Sequence, residues 1–193
     1  MNNTKRNIII AAGFALVAAA VGLGIFFLWK PQPKGIVIAV SSLPDSLNPV
    51  LDQNVSGLNA DELVFDGLVN FEVDPDSGRL YPELALAEAI EQDPTTKQDY
   101  TVVLRQVYWH DGTVLTAEDV EYSFAAYTDE ANDSPKREYL LSYIESVRAV
   151  DERTVSVQFT KPLPPFRAYP VLTFKIIPAT YRGQMMATDM RAG

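Results

Sequence analysis

Residues 8–29 form an unbroken run of 22 residues without a charge or a strongly polar side chain. As a helix this run spans roughly 33 Å, about the hydrocarbon thickness of a bilayer, and it lacks the polar stripe that a buried helix of a soluble domain keeps. The pattern predicts one transmembrane helix. Lys5 and Arg6 also suit the head of a signal peptide, and Ala18-Ala19-Ala20 resembles a cleavage site. The apolar run continues through residues 21–28, however, which favours a retained anchor over a cleaved signal.

Beyond the prolines of a stiff linker at residues 30–35, the pattern changes to short elements. Ile36-Val37-Ile38-Ala39-Val40 reads as a buried strand. In residues 58–68, Ala60, Val64 and Leu68 recur at i, i+4 and i+8, and Asn59 can cap a helix there. Asp74-Pro75-Asp76-Ser77-Gly78 is a turn, and Pro82 followed by Glu83-Leu84-Ala85-Leu86-Ala87-Glu88-Ala89 predicts a short helix. Tyr100-Thr101-Val102-Val103-Leu104-Arg105 is a strand, and His110-Asp111-Gly112-Thr113 a tight turn. A helix then starts at Thr116, with Asp119 completing a variant capping box and Val120, Phe124 and Tyr127 forming the apolar stripe. Residues 147–150 and 154–159 read as a hairpin around Asp151-Glu152-Arg153, with Val155, Val157 and Phe159 on the buried face. Residues 162–170 are irregular or briefly helical, Phe174-Lys175-Ile176-Ile177 is a further strand, and residues 182–193 have no usable period. The body is α+β.

Charge divides the chain. Residues 1–34 carry four basic and no acidic side chains; the rest holds 12 basic against 25 acidic, a net −13. Such a body repels phosphate backbones and anionic lipid surfaces, so nucleic acid is excluded as a partner and the body is expected outside the cytoplasm, with the basic head inside. The absence of cysteine removes thiol chemistry, and a single histidine, His110, disfavours a metal centre or a Ser-His-Asp site. Paired acids such as Asp61/Glu62 and Glu118/Asp119 are adjacent on their helices and do not face each other, and first-turn placement explains them by the helix dipole. No catalytic residue, cofactor or metal is expected.

The segment YTVVLRQVYWHDGTVLTAEDVEYSF at residues 100–124 resembles the hallmark of the family 5 solute-binding proteins, the dipeptide-, oligopeptide- and nickel-type binding components of ABC importers. Ser46-Leu47-Asn48-Pro49, Val64-Phe65-Asp66-Gly67-Leu68-Val69, Leu80-Tyr81-Pro82-Glu83-Leu84-Ala85 and Ala149-Val150-Asp151-Glu152-Arg153-Thr154-Val155 match further family pieces in order. The resemblance implies a periplasmic-binding-protein-like fold of two lobes that closes on a peptide or similar solute and delivers it to a membrane permease, without catalysis. It implies ligand contacts at Gln53, Asn54 and Val55, and at Lys136 and Tyr139 in the segment after the hallmark helix. Peptides are the default ligand; nickel chelates, sugars and haem are alternatives. His110 and Asp111 are turn residues on this reading.

The expected organisation is a cytoplasmic head at 1–7, a transmembrane anchor at 8–29, a linker at 30–35, the first part of a solute-binding lobe at 36–181 and an unstructured tail at 182–193. Family members are far longer, so the chain is expected to be a truncated first lobe. A membrane-tethered interaction module, or a nonfunctional lobe lacking its second half, is the competing expectation.

Overall fold

The computed structural model describes residues 39, 40, 42–44, 46–181 and 184–185. The head, the apolar run at 8–29, the linker and residues 36–38 lie outside the described residues. Among those described, no helix is long and apolar enough to cross a membrane. Residues 40–193 form one unit, whose architecture follows.

A four-stranded antiparallel sheet organises the core, in the order β3-β4-β6-β5. Its strands are β3 (Ala87–Gln92), β4 (Asp99–Leu104), β5 (Ile144–Ala149) and β6 (Thr154–Phe159). Two-residue alternation fixes the register. Tyr100 pairs with Val157 and Val102 with Val155, and those two residues of β6 face Val147 and Ala149 on β5. Tyr100, Val102, Leu104, Val155, Val157 and Phe159 are all buried, as a half-wet sheet requires. The Tyr100 and Phe159 rings meet edge to face at 5.1 Å, and the Tyr100 hydroxyl donates to the Leu163 carbonyl. Ahead of the sheet, β1 (Val69–Val73) and β2 (Leu80–Leu84) form a separate hairpin. Its turn is held by Asp74 Oδ1, which accepts from the amides of Asp76 and Ser77 at 3.0 and 2.7 Å.

Helix α1 (Val55–Val64) precedes the hairpin, and helix α2 (Ala117–Thr128) packs against the sheet with Val120, Phe124 and Tyr127 buried. The Thr116 amide donates to Asp119 Oδ2 at 2.8 Å, which fixes the start of α2. Gly112 takes φ +87° in the turn before it, a conformation that side chains rarely tolerate, and Asp111 Oδ1 accepts from the Thr113 amide at 2.9 Å. Helix α3 (Arg137–Tyr143) and the single turn α4 (Pro165–Ala168), followed by a 3-10 stretch at Tyr169–Thr173, complete the helical layer. The class is mixed α and β, with every strand pair among the described residues antiparallel.

Several sequence expectations change. The helix expected at 82–89 is replaced by β2 and the start of β3. Pro82 lies in a two-stranded ribbon opposite Phe71, where each strand keeps a free edge and the missing amide need not break a ladder. Arg105 ties the crossing between the strands, donating to the carbonyls of Ala87 and Leu84 at 3.1 and 2.8 Å. Pairing thus outweighs the helix propensity of Ala, Leu and Glu.

The helix expected at 58–68 begins three and ends four residues earlier, with Asn54 as its cap instead of Asn59. Residues 174–177 are buried but form no strand. Their amides find other partners: Ile176 donates to the Asp66 carbonyl at 2.9 Å and Ile177 to Ser123 Oγ at 2.8 Å. Of the strand expected at 36–40, the described end, Ala39 and Val40, is exposed and outside any strand. In the tail, Gln184–Met185 pairs with Thr180–Tyr181.

Candidate functional site

The loop leading into α1 is built by its own side chains. Asn48 accepts the Val50 amide on Oδ1 at 3.1 Å and the amides of Leu51 and Asp52 on its carbonyl at 3.0 and 3.1 Å. Asn54 Oδ1 accepts the Gly57 amide at 2.7 Å and starts the helix. The helix that follows is inverted relative to an ordinary amphipathic one. Ser56, Gly57 and Asp61 are buried, whereas Val55, Leu63 and Val64 are exposed.

The reason lies beneath the helix. Asp52, 2% exposed, is pressed against Gly57: a Cβ built there would sit 2.8 Å from the Asp52 Cγ. Asp61, also 2% exposed, follows Gly57 by one turn on the same face, which sets its carboxyl on the side that Asp52 occupies. Burial is the main cause that pushes Asp61 up to about 6, with the Asp52 charge next; Lys136 and Lys175 pull the other way.

Lys175 is 3% exposed and donates to Glu62 Oε2 at 2.7 Å. The Lys136 ammonium lies 5.5 Å from the centroid of the Tyr127 ring, and burial lowers its pKa against the raising effect of Asp61. Tyr127 is fully buried, its phenol pushed upward by burial and then by Asp61.

The expected contact residues fall around this cluster. Gln53 is exposed, Asn54 half-buried as the cap, and Val55 72% exposed on the first turn of α1. Lys136 is half-buried at the start of α3. Tyr139 is exposed and packs its ring on Tyr143 at 5.2 Å. The two segments meet: Ser134 Oγ donates to the Val50 carbonyl at 2.6 Å, joining positions 84 residues apart.

Asp52, Gly57, Asp61, Tyr127 and Lys175 were not singled out as site residues by the sequence, although Gly57 and Asp61 stand at the i, i+4 spacing of one helix face. Asp61 and Glu62 lie in the last turn of α1, not the first, so the dipole does not explain them; the lysines do. One groove of ≈ 390 Å³ is lined by Val64, Phe65, Trp109, His110, Asp111 and Pro178, and another of ≈ 300 Å³, beside the Glu62–Lys175 pair, by Glu62, Asn70, Phe71, Thr173 and Lys175. Among the described residues, no cluster of three or more His, Cys, Asp or Glu could hold a metal ion.

Comparison with known proteins gives the surface a context. The periplasmic oligopeptide-binding protein OppA of Escherichia coli is 28% identical over 86% of this chain and 33% of its own length. Among solved structures, AgaA of A. tumefaciens R10 in complex with agropinic acid is 32% identical, with a TM-score of 0.59 over 72% of this chain and 27% of that one. NikZ of Campylobacter jejuni in complex with Ni(L-His) is 25% identical, with a TM-score of 0.59 over 72% and 26%. The chain spans between 26% and 36% of the length of the curated relatives it matches. The profile of the bacterial extracellular solute-binding proteins, family 5 Middle, matches residues 79–190 and so takes in most of the sheet, the Trp109 turn and α2. The chain therefore belongs to the family 5 bacterial extracellular solute-binding proteins, a family of binding proteins and not of enzymes.

Proposed function

We propose that the chain captures a peptide or a similar small solute outside the membrane and passes it to an ABC permease. The ligand lies against the surface of Gln53, Asn54 and Val55 on one side and Lys136 and Tyr139 on the other, as part of the first lobe of a two-lobed binding fold. The observation that carries this reading is the hydrogen bond from Ser134 to Val50, which makes one surface of two segments far apart in sequence. The Lys136 ammonium suits a carboxylate or carbonyl of the ligand.

Residues 8–29 anchor the body on the extracytoplasmic side as a single membrane pass, and tethering raises its effective concentration near the permease. The name of E. coli OppA makes oligopeptides the first ligands to test. Agropinic acid and Ni(L-His), bound by AgaA and NikZ, mark the alternatives.

The test is calorimetric titration of the full chain in detergent micelles with di- to pentapeptides. Saturable binding that weakens about tenfold in Lys136→Ala, a loss of about 1.4 kcal/mol, supports the reading. Heat that saturates with no peptide, with agropinic acid and Ni(L-His) equally inert, overturns it.

The exposed Val55, Leu63 and Val64 of α1 favour a second reading, a tethered module that docks another protein. Leu63→Asp separates the two readings, because it removes protein association while leaving peptide binding intact.

A further inference from the structure

Three acidic and two basic side chains converge beneath the candidate wall from four separate elements. Asp52 comes from the loop, Asp61 and Glu62 from α1, Lys136 from the segment before α3, and Lys175 from the coil at 174–177. Tyr127 faces them from α2. With every group ionised the cluster carries a net −1, and a single proton makes it neutral.

The geometry says where that proton sits. Asp52 lies against Gly57 and Asp61 stands one turn further on the same helix face, so two carboxyls that are each 2% exposed are neighbours, and burial beside a like charge favours a proton on one of them. Lys175 is engaged by Glu62 at 2.7 Å and Lys136 lies over the Tyr127 ring, so the lysines are shared out before they can neutralise both acids. The Tyr127 hydroxyl, fully buried beside the pair, makes no hydrogen bond of normal geometry and offers it further polar capacity.

We infer that Asp52 and Asp61 share one proton, and that this proton latches the loop at residues 48–55 onto α1. Its loss to water leaves two buried like charges side by side, and their repulsion pushes the Asp52 loop away from α1. The latch is indirect in its effect on ligand: Gln53, Asn54 and Val55 ride on the loop whose footing it controls, and that consequence alone rests on the proposed binding surface. The latch itself does not. The raised pKa of Asp61 places the change near neutral pH.

Hydrogen exchange by mass spectrometry on the full chain, without ligand, tests the latch. After correction for intrinsic exchange rates, protection of amides at 50–57 is expected to fall about tenfold or more between pH 5 and pH 7.5, relative to the amides of β4. Asp61→Asn, whose amide can donate to Asp52 at any pH, should abolish that difference and keep the loop protected. Equal protection of wild type at both pH values overturns the inference, and so does an unchanged pH response in Asp61→Asn.

If Asp61→Asn does not fold, carboxyl carbon-13 titration of the wild type decides. A midpoint for Asp61 well above that of ordinary aspartate sustains the shared proton, and an ordinary midpoint near 4 overturns it. No peptide enters these experiments. Failure to bind peptide and failure of the latch are therefore separate results.

Discussion

The Trp109 indole N–H donates to Asp119 Oδ2 across 3.2 Å, tying the turn before α2 to the first turn of that helix. The same carboxylate accepts the Thr116 amide at 2.8 Å, and its other oxygen accepts the Ala179 amide at 2.7 Å. One buried side chain thus joins the family's hallmark segment to a strand-like coil 60 residues away. Its job in the described fold is architectural.

Asp119→Ala leaves three donors without their acceptor, two of them backbone amides. The expected cost is about 3–5 kcal/mol, read from the midpoint of urea unfolding. Trp109→Phe removes one bond and part of a ring and should cost roughly 1–2 kcal/mol. A smaller loss for Asp119→Ala than for Trp109→Phe would contradict the network.

Gly57→Ala is expected to destabilise even though alanine is the better helix former. The new methyl would stand 2.8 Å from the Asp52 Cγ, and overpacking of this kind costs about 1–3 kcal/mol against a propensity gain of about 1 kcal/mol. The same variant in an Asp52→Ala background should recover the propensity gain, since the clash has gone. Thermal unfolding of the two single variants and the double variant measures the difference.

Stability should depend on pH in two opposing ways. Asp61 has a folded pKa of about 6 against 3.8 for the free group, so its contribution is complete below about pH 3.8 and is lost as pH rises through about 6. The loss is at most about 3 kcal/mol at 1.36 kcal/mol per unit. Asp74, Asp93 and Asp151 have pKa values lowered by backbone amides of Ser77, Thr96 and Arg153, so they stabilise above the usual aspartate range and lose that effect as pH falls through their lower values. A stability maximum near pH 4 follows, with a fall from there to about pH 6 that Asp61→Asn should flatten. A wild-type curve that climbs steadily to pH 8 would contradict this assignment.

Glu62 is 67% exposed while its partner Lys175 is almost wholly covered, so removing one or the other has unequal effects. Glu62→Gln strands a buried ammonium and should cost about 1 kcal/mol, the exposed acid being partly screened by water. Lys175→Met fills the same volume without charge and should be within about 1 kcal/mol of neutral. It should also raise the Asp61 midpoint further, because Lys175 holds that pKa down. Carbon-13 titration of Asp61 in Lys175→Met reads the effect directly.

Strands and turns were readable where the local pattern and the tertiary environment agree. Tyr100, Val102 and Leu104, or Val155, Val157 and Phe159, alternate in sequence because one face of each strand is buried. The turn at Asp111 and Gly112 was readable because its bonds are local. Helix α1 was misplaced because its apolar residues look outward, so the stripe of Ala60, Val64 and Leu68 pointed to the wrong register. Residues 174–177 look like a strand, and only the position of Ser123 shows why they need no neighbour. The buried acids stayed hidden for the same reason: nothing within ten residues of Asp52 tells that Lys136 and Lys175 lie close by.

The Ser134–Val50 hydrogen bond also bears on the order in which the molecule assembles. It closes a loop of 84 residues, and contacts of such separation must wait for the entropy of closure to be met by others. As the chain is made from its N-terminus, the loop ahead of α1 emerges early and stays without its footing until α2 and the segment before α3 have followed. The hairpin β1-β2 and the pair β3-β4 need no such delay, because their partners are near in sequence. The surface proposed to meet the ligand is therefore completed only after the chain has passed residue 134, and a synthesis or export pause before that point would leave it unmade.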